Sequence, residues 1–208
     1  MKLMKRWISR RQFVIGGGAG TLLWSCGGRT GSNIVKPDEL CTQPPSRLPT
    51  CGELTLPNIE GPFFLPGSTQ RTIIGDSEGG LELILQGRVV TDDCVPVAGA
   101  MLDFWQADAR GDYHPIAFRG HQFTDDEGRY TLETVIPGRY LNGDRFRPSH
   151  IHVKVGAREL GLLTTQLYFP CDPYVQGDPF FEPDLLLAYD ATAKTAAFEF
   201  VLGRPDQD

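Results

Sequence analysis

Short apolar, strand-like runs alternate with turn signals along this chain, and this pattern restricts its fold more than any other feature. Six runs are rich in the aliphatic, β-branched and aromatic residues typical of strands: residues 81–90, 100–107, 128–135, 150–155, 162–168 and 195–202. Turn-forming clusters such as Asp125-Asp126-Glu127-Gly128 separate them, and one short helix is expected within residues 183–189. Many short strands with regular turns predict an all-β, single-domain β-sandwich with long loops.

The strand predicted at residues 150–155 carries two of the four histidines of the chain. Because side chains alternate along a strand, His150 and His152 share one face, and the aliphatic residues between and after them share the other, as expected for core positions. Neutral imidazoles are ligands for borderline metals. The cysteines lack a CxxC spacing, so oxygen ligands are expected to complete the set. Tyr113 and Tyr140 follow glycine-containing turns upstream and are the candidates.

Six motifs, taken in order, resemble those of the intradiol ring-cleavage dioxygenases, the catechol and protocatechuate type of non-haem ferric enzyme. They are Phe104-Trp105-Gln106-Ala107-Asp108, Gly111-Asp112-Tyr113, Thr124-Asp125, Pro137-Gly138-Arg139-Tyr140, Arg147-Pro148-Ser149-His150-Ile151-His152 and Leu163-Thr164-Thr165-Gln166-Leu167-Tyr168. One such string is weak evidence, but the ordered set over residues 57–201 is specific. The family has a β-sandwich core, which agrees with the strand pattern.

The resemblance implies a single Fe(III) centre held by Tyr113, Tyr140, His150 and His152. A phenol has a pKa of about 10 in solution, so two tyrosine anions at neutral pH require something that strongly favours them. Ferric iron is a hard, highly charged Lewis acid and does so.

Three of the matched residues are implied in catalysis. Tyr140 corresponds to the ligand that leaves the metal and takes a substrate proton, Arg147 faces developing negative charge, and Gln166 helps to orient dioxygen. The implied enzyme is an oxidoreductase that opens a catechol-type ring between its two hydroxyls with O2, giving a cis,cis-muconate-type product. Leu141-Asn142-Gly143 follows Tyr140 where protocatechuate-type enzymes commonly carry an aromatic residue, which argues against protocatechuate as the preferred substrate.

Other functions remain compatible with the same residues. A non-catalytic β-sandwich lipoprotein would capture aromatic or polysaccharide-linked ligands without turnover, and a zinc or copper site would use the histidines alone. Near the motifs, Arg110, Arg119 and Arg139 are either contacts for a substrate carboxylate or solvated loop charges.

The N-terminus resembles an export signal. Ser9-Arg10-Arg11-Gln12-Phe13-Val14-Ile15 is similar to a twin-arginine motif, and the apolar stretch after it is shorter than the roughly 20 residues of a membrane-spanning helix. Leu23-Trp24-Ser25-Cys26 resembles a bacterial lipobox, in which Cys26 would carry the lipid; ordinary signal cleavage is the alternative. We therefore expect a signal segment at residues 1–25, a lipobox cysteine and flexible linker at 26–54, and the dioxygenase-like domain at 55–208. The mature protein would be periplasmic or at the cell surface, attached to the membrane.

Charge and cysteine content narrow the partners and the compartment. Five of the 20 basic residues lie in the leader with none of the 26 acidic ones, so the rest of the chain is strongly acidic and nucleic acid is not expected as a partner. Besides Cys26 there are four cysteines, an even number that suits two disulfides in an oxidising compartment. Three pairings are open, of which Cys41 with Cys51 is the local choice. A homo-oligomer is compatible with the chain, and the sequence leaves the oligomeric state open.

Overall fold

The computed structural model describes residues 32–42, 52–75 and 79–204, so the twin-arginine and lipobox motifs lie outside the described residues. The strands of these ranges are β1 (Glu82–Thr91), β2 (Met101–Trp105), β3 (Arg119–Phe123), β4 (Arg129–Val135), β5 (Tyr140–Asn142), β6 (Arg145–Arg147), β7 (His150–Gly156), β8 (Leu163–Tyr168), β9 (Ala188–Asp190) and β10 (Thr195–Leu202). Three short 3-10 helices accompany them, at Pro37–Glu39, Val175–Gly177 and Pro183–Leu185. Within the same ranges, no helix is long and apolar enough to cross a membrane.

All six predicted strands are present, with ends within two residues of the prediction. The strands β3, β5, β6 and β9 were not predicted. The helix expected within residues 183–189 is wrong in extent, because the 3-10 turn ends at Leu185 and β9 begins at Ala188.

Two four-stranded sheets form the sandwich, with strand orders β4-β1-β10-β9 and β3-β2-β7-β8, and β5 pairs with β6 in a separate hairpin. All pairs are antiparallel except β1 with β10. One buried cluster joins the inner faces of both sheets, with Leu85 and Phe200 from the first and Phe104 and Ile151 from the second. The predicted β-sandwich is therefore confirmed.

Strand β7 is buried on both of its faces. Ile151 and Val153 belong to the core cluster between the sheets. His150 and His152 point the other way, as the strand alternation predicts. A loop that precedes β1 covers this outer face, since Gly61 packs directly against the His152 ring. The histidine pair consequently lies on a central strand, in a site closed over by loops.

The disulfide Cys41–Cys171 joins residues 130 positions apart in the sequence. The local pairing of Cys41 with Cys51 is therefore wrong. Cys94 is disulfide-bonded as well, so the expectation of disulfide bonds is confirmed.

Candidate metal centre

His150 and His152 turn their Nε2 atoms toward each other at 3.1 Å, and both side chains are almost fully buried. The Nδ1 of His150 lies 2.7 Å from the carbonyl oxygen of Pro148. Because a carbonyl oxygen only accepts, Nδ1 carries the proton and Nε2 presents a lone pair. Burial and then Arg147 lower the pKa of His150 to about 3, against the opposing effect of the Pro148 contact, and burial also holds the pKa of His152 well below 6.5. Both imidazoles are therefore neutral at working pH.

Two glycine turns bring the tyrosines to this pair. Gly111 has a φ of +91°, and a Cβ there would collide with the carbonyl of Arg139. A Cβ on Gly138 would in turn meet the backbone of Ala109 and Gly111, so the two turns are in direct backbone contact. Only glycine permits both the positive φ and the close approach. The turns thereby hold the residues that follow them, Tyr113 and Tyr140, with ring centroids 5.6 Å apart.

Both predicted tyrosines lie next to His150. The Tyr113 hydroxyl lies 3.4 Å from His150 Nε2, and the Tyr140 ring centroid lies 5.8 Å from that of His150. Burial raises the pKa of Tyr113, with a further contribution from Tyr140. Burial also raises the pKa of Tyr140, although Arg147 opposes it. The protein by itself thus keeps both phenols protonated, and their deprotonation needs an added cation.

The donor set fits a metal cation bound by two nitrogens and two oxygens. When His152 carries its proton on Nδ1, its Nε2 presents a second lone pair toward His150 Nε2, and a cation at this point would accept both. His152 Nδ1 has no hydrogen-bond partner among the described residues. The same part of the chain contains no group of three or more His, Cys, Asp or Glu residues that could hold a metal ion. The structure brings together all four of the predicted ligands, Tyr113 and Tyr140 with the histidines.

Arg147 and Gln166 lie beside the tyrosines in one hydrogen-bonded group. Arg147 donates from Nη1 to the Tyr140 hydroxyl at 3.2 Å and from Nη2 to Gln166 Oε1 at 2.7 Å. Gln166 is fully buried and donates from Nε2 to Asn58 Oδ1 and to the Ile59 carbonyl, at 3.1 and 3.0 Å. Both the oxygen and the nitrogen of the Gln166 amide are therefore hydrogen-bonded within the protein. This favours a role in which Gln166 holds Arg147 in place.

Aromatic rings pack around the candidate ligands Tyr113 and His152. Trp105 stacks on the His152 ring with centroids 4.8 Å apart, while its neighbour Phe104 packs in the core. Phe63 stacks on Tyr113 at 4.1 Å, and Phe64 contacts Trp105 edge to face. Such a lining excludes water and suits a flat aromatic ligand.

The three arginines near the motifs have different environments. Arg110 is exposed. Arg119 is buried, with its Nε bonded to the His114 carbonyl, and Arg139 is only 1% exposed. Of the two alternatives left open for these arginines, a solvated loop charge is therefore excluded for Arg119 and Arg139. Arg139 instead forms a buried ion pair with Asp172 at 2.8 Å.

Two aspartates near the site were missed by sequence reasoning. Asp172 pairs with Arg139 and also accepts a hydrogen bond from the backbone of Ser149, while Asp178 pairs with Arg147 at 2.8 Å. Each aspartate precedes a proline, and that signal indicates a turn but names no partner.

Comparison with known proteins agrees with this geometry. Residues 59–203 match the family model described as Dioxygenase. Chlorocatechol 1,2-dioxygenase of Pseudomonas sp. (strain P51) is 30% identical over 178 residues, covering 71% of this chain and 70% of that protein. The chain belongs to the intradiol ring-cleavage dioxygenase family. The predicted family and the predicted class of enzyme are confirmed.

Other members of the dioxygenase family show how far the likeness extends. The protocatechuate 3,4-dioxygenase beta chain of Burkholderia cepacia is 35% identical over 119 residues, and the match spans 50% of this chain and 51% of that one. Among solved structures, the dioxygenase domain of a dioxygenase carbohydrate-binding protein fusion from the cellulolytic bacterium Streptomyces sp. SirexAA-E has a TM-score of 0.68 and 42% identity, covering 74% of this chain and 100% of that chain. The 3-chlorocatechol 1,2-dioxygenase of Rhodococcus opacus 1CP has a TM-score of 0.68 and 32% identity, with 73% of each chain covered.

Proposed function

We propose that the protein is an Fe(III)-dependent dioxygenase that cleaves a catechol-type ring between its two hydroxyls with O2. The observation that carries the proposal is the grouping of four side chains: the Nε2 atoms of His150 and His152 lie 3.1 Å apart, the Tyr113 hydroxyl lies 3.4 Å from His150 Nε2, and the Tyr140 ring packs beside those of Tyr113 and His150. Named relatives act on chlorocatechol, hydroxyquinol and catechol, which supports a 1,2-dihydroxylated ring as the substrate class. Two phenol oxygens are hard donors and favour a ferric ion over a softer metal.

The two tyrosines, with the histidines, would hold the metal. When bound, ferric iron would supply the Lewis acidity that favours phenolate and catecholate oxygens and makes the ring diol reactive toward O2. The imidazoles stay neutral because burial disfavours their charged forms.

Tyr140 is the group placed to move a proton. It lies at the start of β5, its side chain is only partly buried, and its oxygen accepts a hydrogen bond from Arg147 Nη1. A phenolate oxygen at this position would take a proton from a substrate hydroxyl, and the guanidinium would stabilise the charge that remains. Ring opening would then give a cis,cis-muconate-type diacid.

The aromatic lining orients the substrate ring. Phe63 contacts the rings of both Tyr113 and Tyr140, and Trp105 fixes the plane of His152 by stacking. An apolar, aromatic surrounding of this kind suits a planar ring whose hydroxyl edge is turned toward the polar groups.

The first test is iron content, colour and oxygen uptake of the purified mature protein. We expect about one iron per chain, a reddish protein from phenolate-to-iron charge transfer, and oxygen uptake with catechol, chlorocatechol or hydroxyquinol. Tyr113→Phe and Tyr140→Phe should lose colour and iron. Tyr189→Phe, which removes the hydroxyl of another buried tyrosine in the core between the sheets, should keep both. A wild-type protein that stays colourless and iron-free after ferric reconstitution would refute the proposal.

The same measurements separate the alternatives. A lipoprotein that only captures aromatic or polysaccharide-linked ligands would bind catechol without consuming oxygen. A zinc or copper site built from the histidines alone would keep its metal in both tyrosine variants. Incorporation of both atoms of isotopically labelled O2 into the product would establish the dioxygenase reaction.

We also propose that the protein is exported by the twin-arginine route and tethered through Cys26 at the periplasmic or cell-surface face of the membrane. The disulfide Cys41–Cys171 supports an oxidising compartment. Replacement of both Arg10 and Arg11 by Lys should retain the precursor in the cytoplasm. Cys26→Ser should release the exported protein from the membrane fraction, and a variant that stays membrane-bound would argue against lipidation.

A further inference from the structure

We infer that Asp178 is a positioning residue that fixes the guanidinium of Arg147 for catalysis. The inference rests on the proposed function, because it concerns how Arg147 is aimed at Tyr140. Arg147 Nε donates to Asp178 Oδ2 at 2.8 Å, and the Asp178 side chain is fully buried. Asp178 lies in the loop after β8 and outside all six motifs, the last of which ends at Tyr168.

The Asp178 carboxylate is itself held by its own loop. Its Oδ1 accepts the backbone N–H of Phe180 at 3.1 Å, and its backbone N–H donates to the Val175 carbonyl at 3.3 Å. The Phe180 ring also lies under the guanidinium, with Arg147 Cζ 4.9 Å from its centroid. The loop therefore gives Arg147 an anion and an aromatic face at fixed positions.

Four acceptors surround the guanidinium. Nε faces Asp178, Nη1 faces the Tyr140 hydroxyl, and Nη2 faces both Gln166 and, at 3.4 Å, the Tyr168 hydroxyl. Gln166 is held on its far side by Asn58. Because the guanidinium is planar and rigid, two fixed contacts determine its plane, and Nη1 can then point only toward Tyr140.

The ion pair between Asp178 and Arg147 also determines what Arg147 contributes to the reaction. Asp178 balances the buried positive charge, so Arg147 can remain in a dry site beside the metal ligands without a solvating water shell. Without Asp178, the guanidinium would have an unpaired Nε and would be free to turn away from Tyr140. A displacement of about 1 Å in such a site is sufficient for losses of about 100-fold in rate.

Kinetics of the iron-loaded enzyme test the inference. Asp178→Ala should lower kcat about 10- to 100-fold while KM changes less than about threefold and iron content is unchanged. Asp178→Asn keeps the side-chain shape and an oxygen that accepts from Arg147 Nε, so its kcat should lie between those of Asp178→Ala and the wild type. This variant also keeps the inference testable if Asp178→Ala fails to fold. Asp190→Ala is the control, because Asp190 also accepts backbone N–H bonds in its own loop and has no arginine partner among the described residues.

A double-mutant cycle with Arg147→Ala separates positioning from a general structural role. If Asp178 acts through Arg147, the double variant should lose no more kcat than Arg147→Ala alone. In the metal-free protein, the shifts in melting temperature of the two single variants should likewise be non-additive. Independent, additive losses, or wild-type kcat in Asp178→Ala, would overturn the inference. If the wild-type protein itself takes up neither iron nor oxygen, the proposed function fails, while the coupling in the metal-free protein still tests the Asp178–Arg147 contact.

Discussion

Removal of Asp172 should destabilise the protein and disturb two of the proposed metal ligands at once. Its Oδ2 accepts from Arg139 Nε at 2.8 Å and from the backbone N–H of Ser149 at 3.1 Å, and its side chain is fully buried. Arg139 immediately precedes Tyr140, and Ser149 immediately precedes His150. One carboxylate therefore ties together the two segments that carry these ligands.

The expected cost follows from these contacts. Breaking a buried ion pair by removing one partner costs about 3–5 kcal/mol. The Glu39 carboxylate lies 2.8 Å from Arg139 Nη1 on the more exposed side and continues to pair with it, so we place Asp172→Ala near about 3 kcal/mol. For a chain of this size that corresponds to a drop in melting temperature of roughly 6–12 °C.

The assay is chemical and thermal unfolding with the disulfides intact, combined with iron content. Asp172→Ala should show both the lower unfolding free energy and reduced iron uptake, and Asp172→Asn should be intermediate. Asp190→Ala, at the partly buried end of β9, should stay within about 1 kcal/mol of the wild type because Asp190 has no buried ion pair among the described residues. If Asp172→Ala is as stable as that control and binds iron normally, the argument that Asp172 organises the site is refuted.

Three further predictions concern the disulfide, a carboxylate and a glycine turn. Loss of the Cys41–Cys171 bond by double replacement with alanine should lower stability by about 5 kcal/mol, since the bond closes a loop of 130 residues, and an unchanged denaturation midpoint would contradict this. The pKa of Glu39 lies below its ordinary 4.5, because hydrogen bonds from a backbone amide and a guanidinium outweigh the burial that would raise it. The contribution of the Glu39 carboxylate to stability is fully present above pH 4.5 and is lost as the pH falls through its lowered pKa. The free energy of unfolding of Glu39→Gln should therefore fall less steeply than that of the wild type as the pH drops below 4.5. Gly111→Ala should cost more than Gly99→Ala in unfolding experiments: both glycines have positive φ, worth roughly 1–2 kcal/mol, but only the first would also collide with a backbone carbonyl.

Local patterns made the strand predictions reliable where burial alternates or a run is continuously apolar. The strands β1, β4 and β10 and the central strand β7 all show such runs. Of the four missed strands, β5, β6 and β9 have only three residues each, and β3 has five. Strands this short have no readable periodicity and exist because a neighbouring segment pairs with them.

The same distinction applies to the site. Sequence order and spacing were sufficient to name Tyr113, Tyr140, His150 and His152 and to attach Arg147 to them, because these residues lie in recognisable local motifs. Sequence did not identify Asp178 as the partner of Arg147, since an aspartate before a proline has the same local signal whether it ends a loop or anchors a buried arginine.

The sequence by itself determined the sandwich and the family and supplied the residues proposed as metal ligands, because side-chain alternation and short motifs encode which groups share a strand face or follow a tight turn. Tertiary structure alone decided which distant groups meet: Cys41 with Cys171, Arg139 with Asp172, and the glycine turns of Gly111 and Gly138 with each other. Such contacts join segments far apart in the chain, and their partners are chosen by the packing of the two sheets and their loops rather than by local preference.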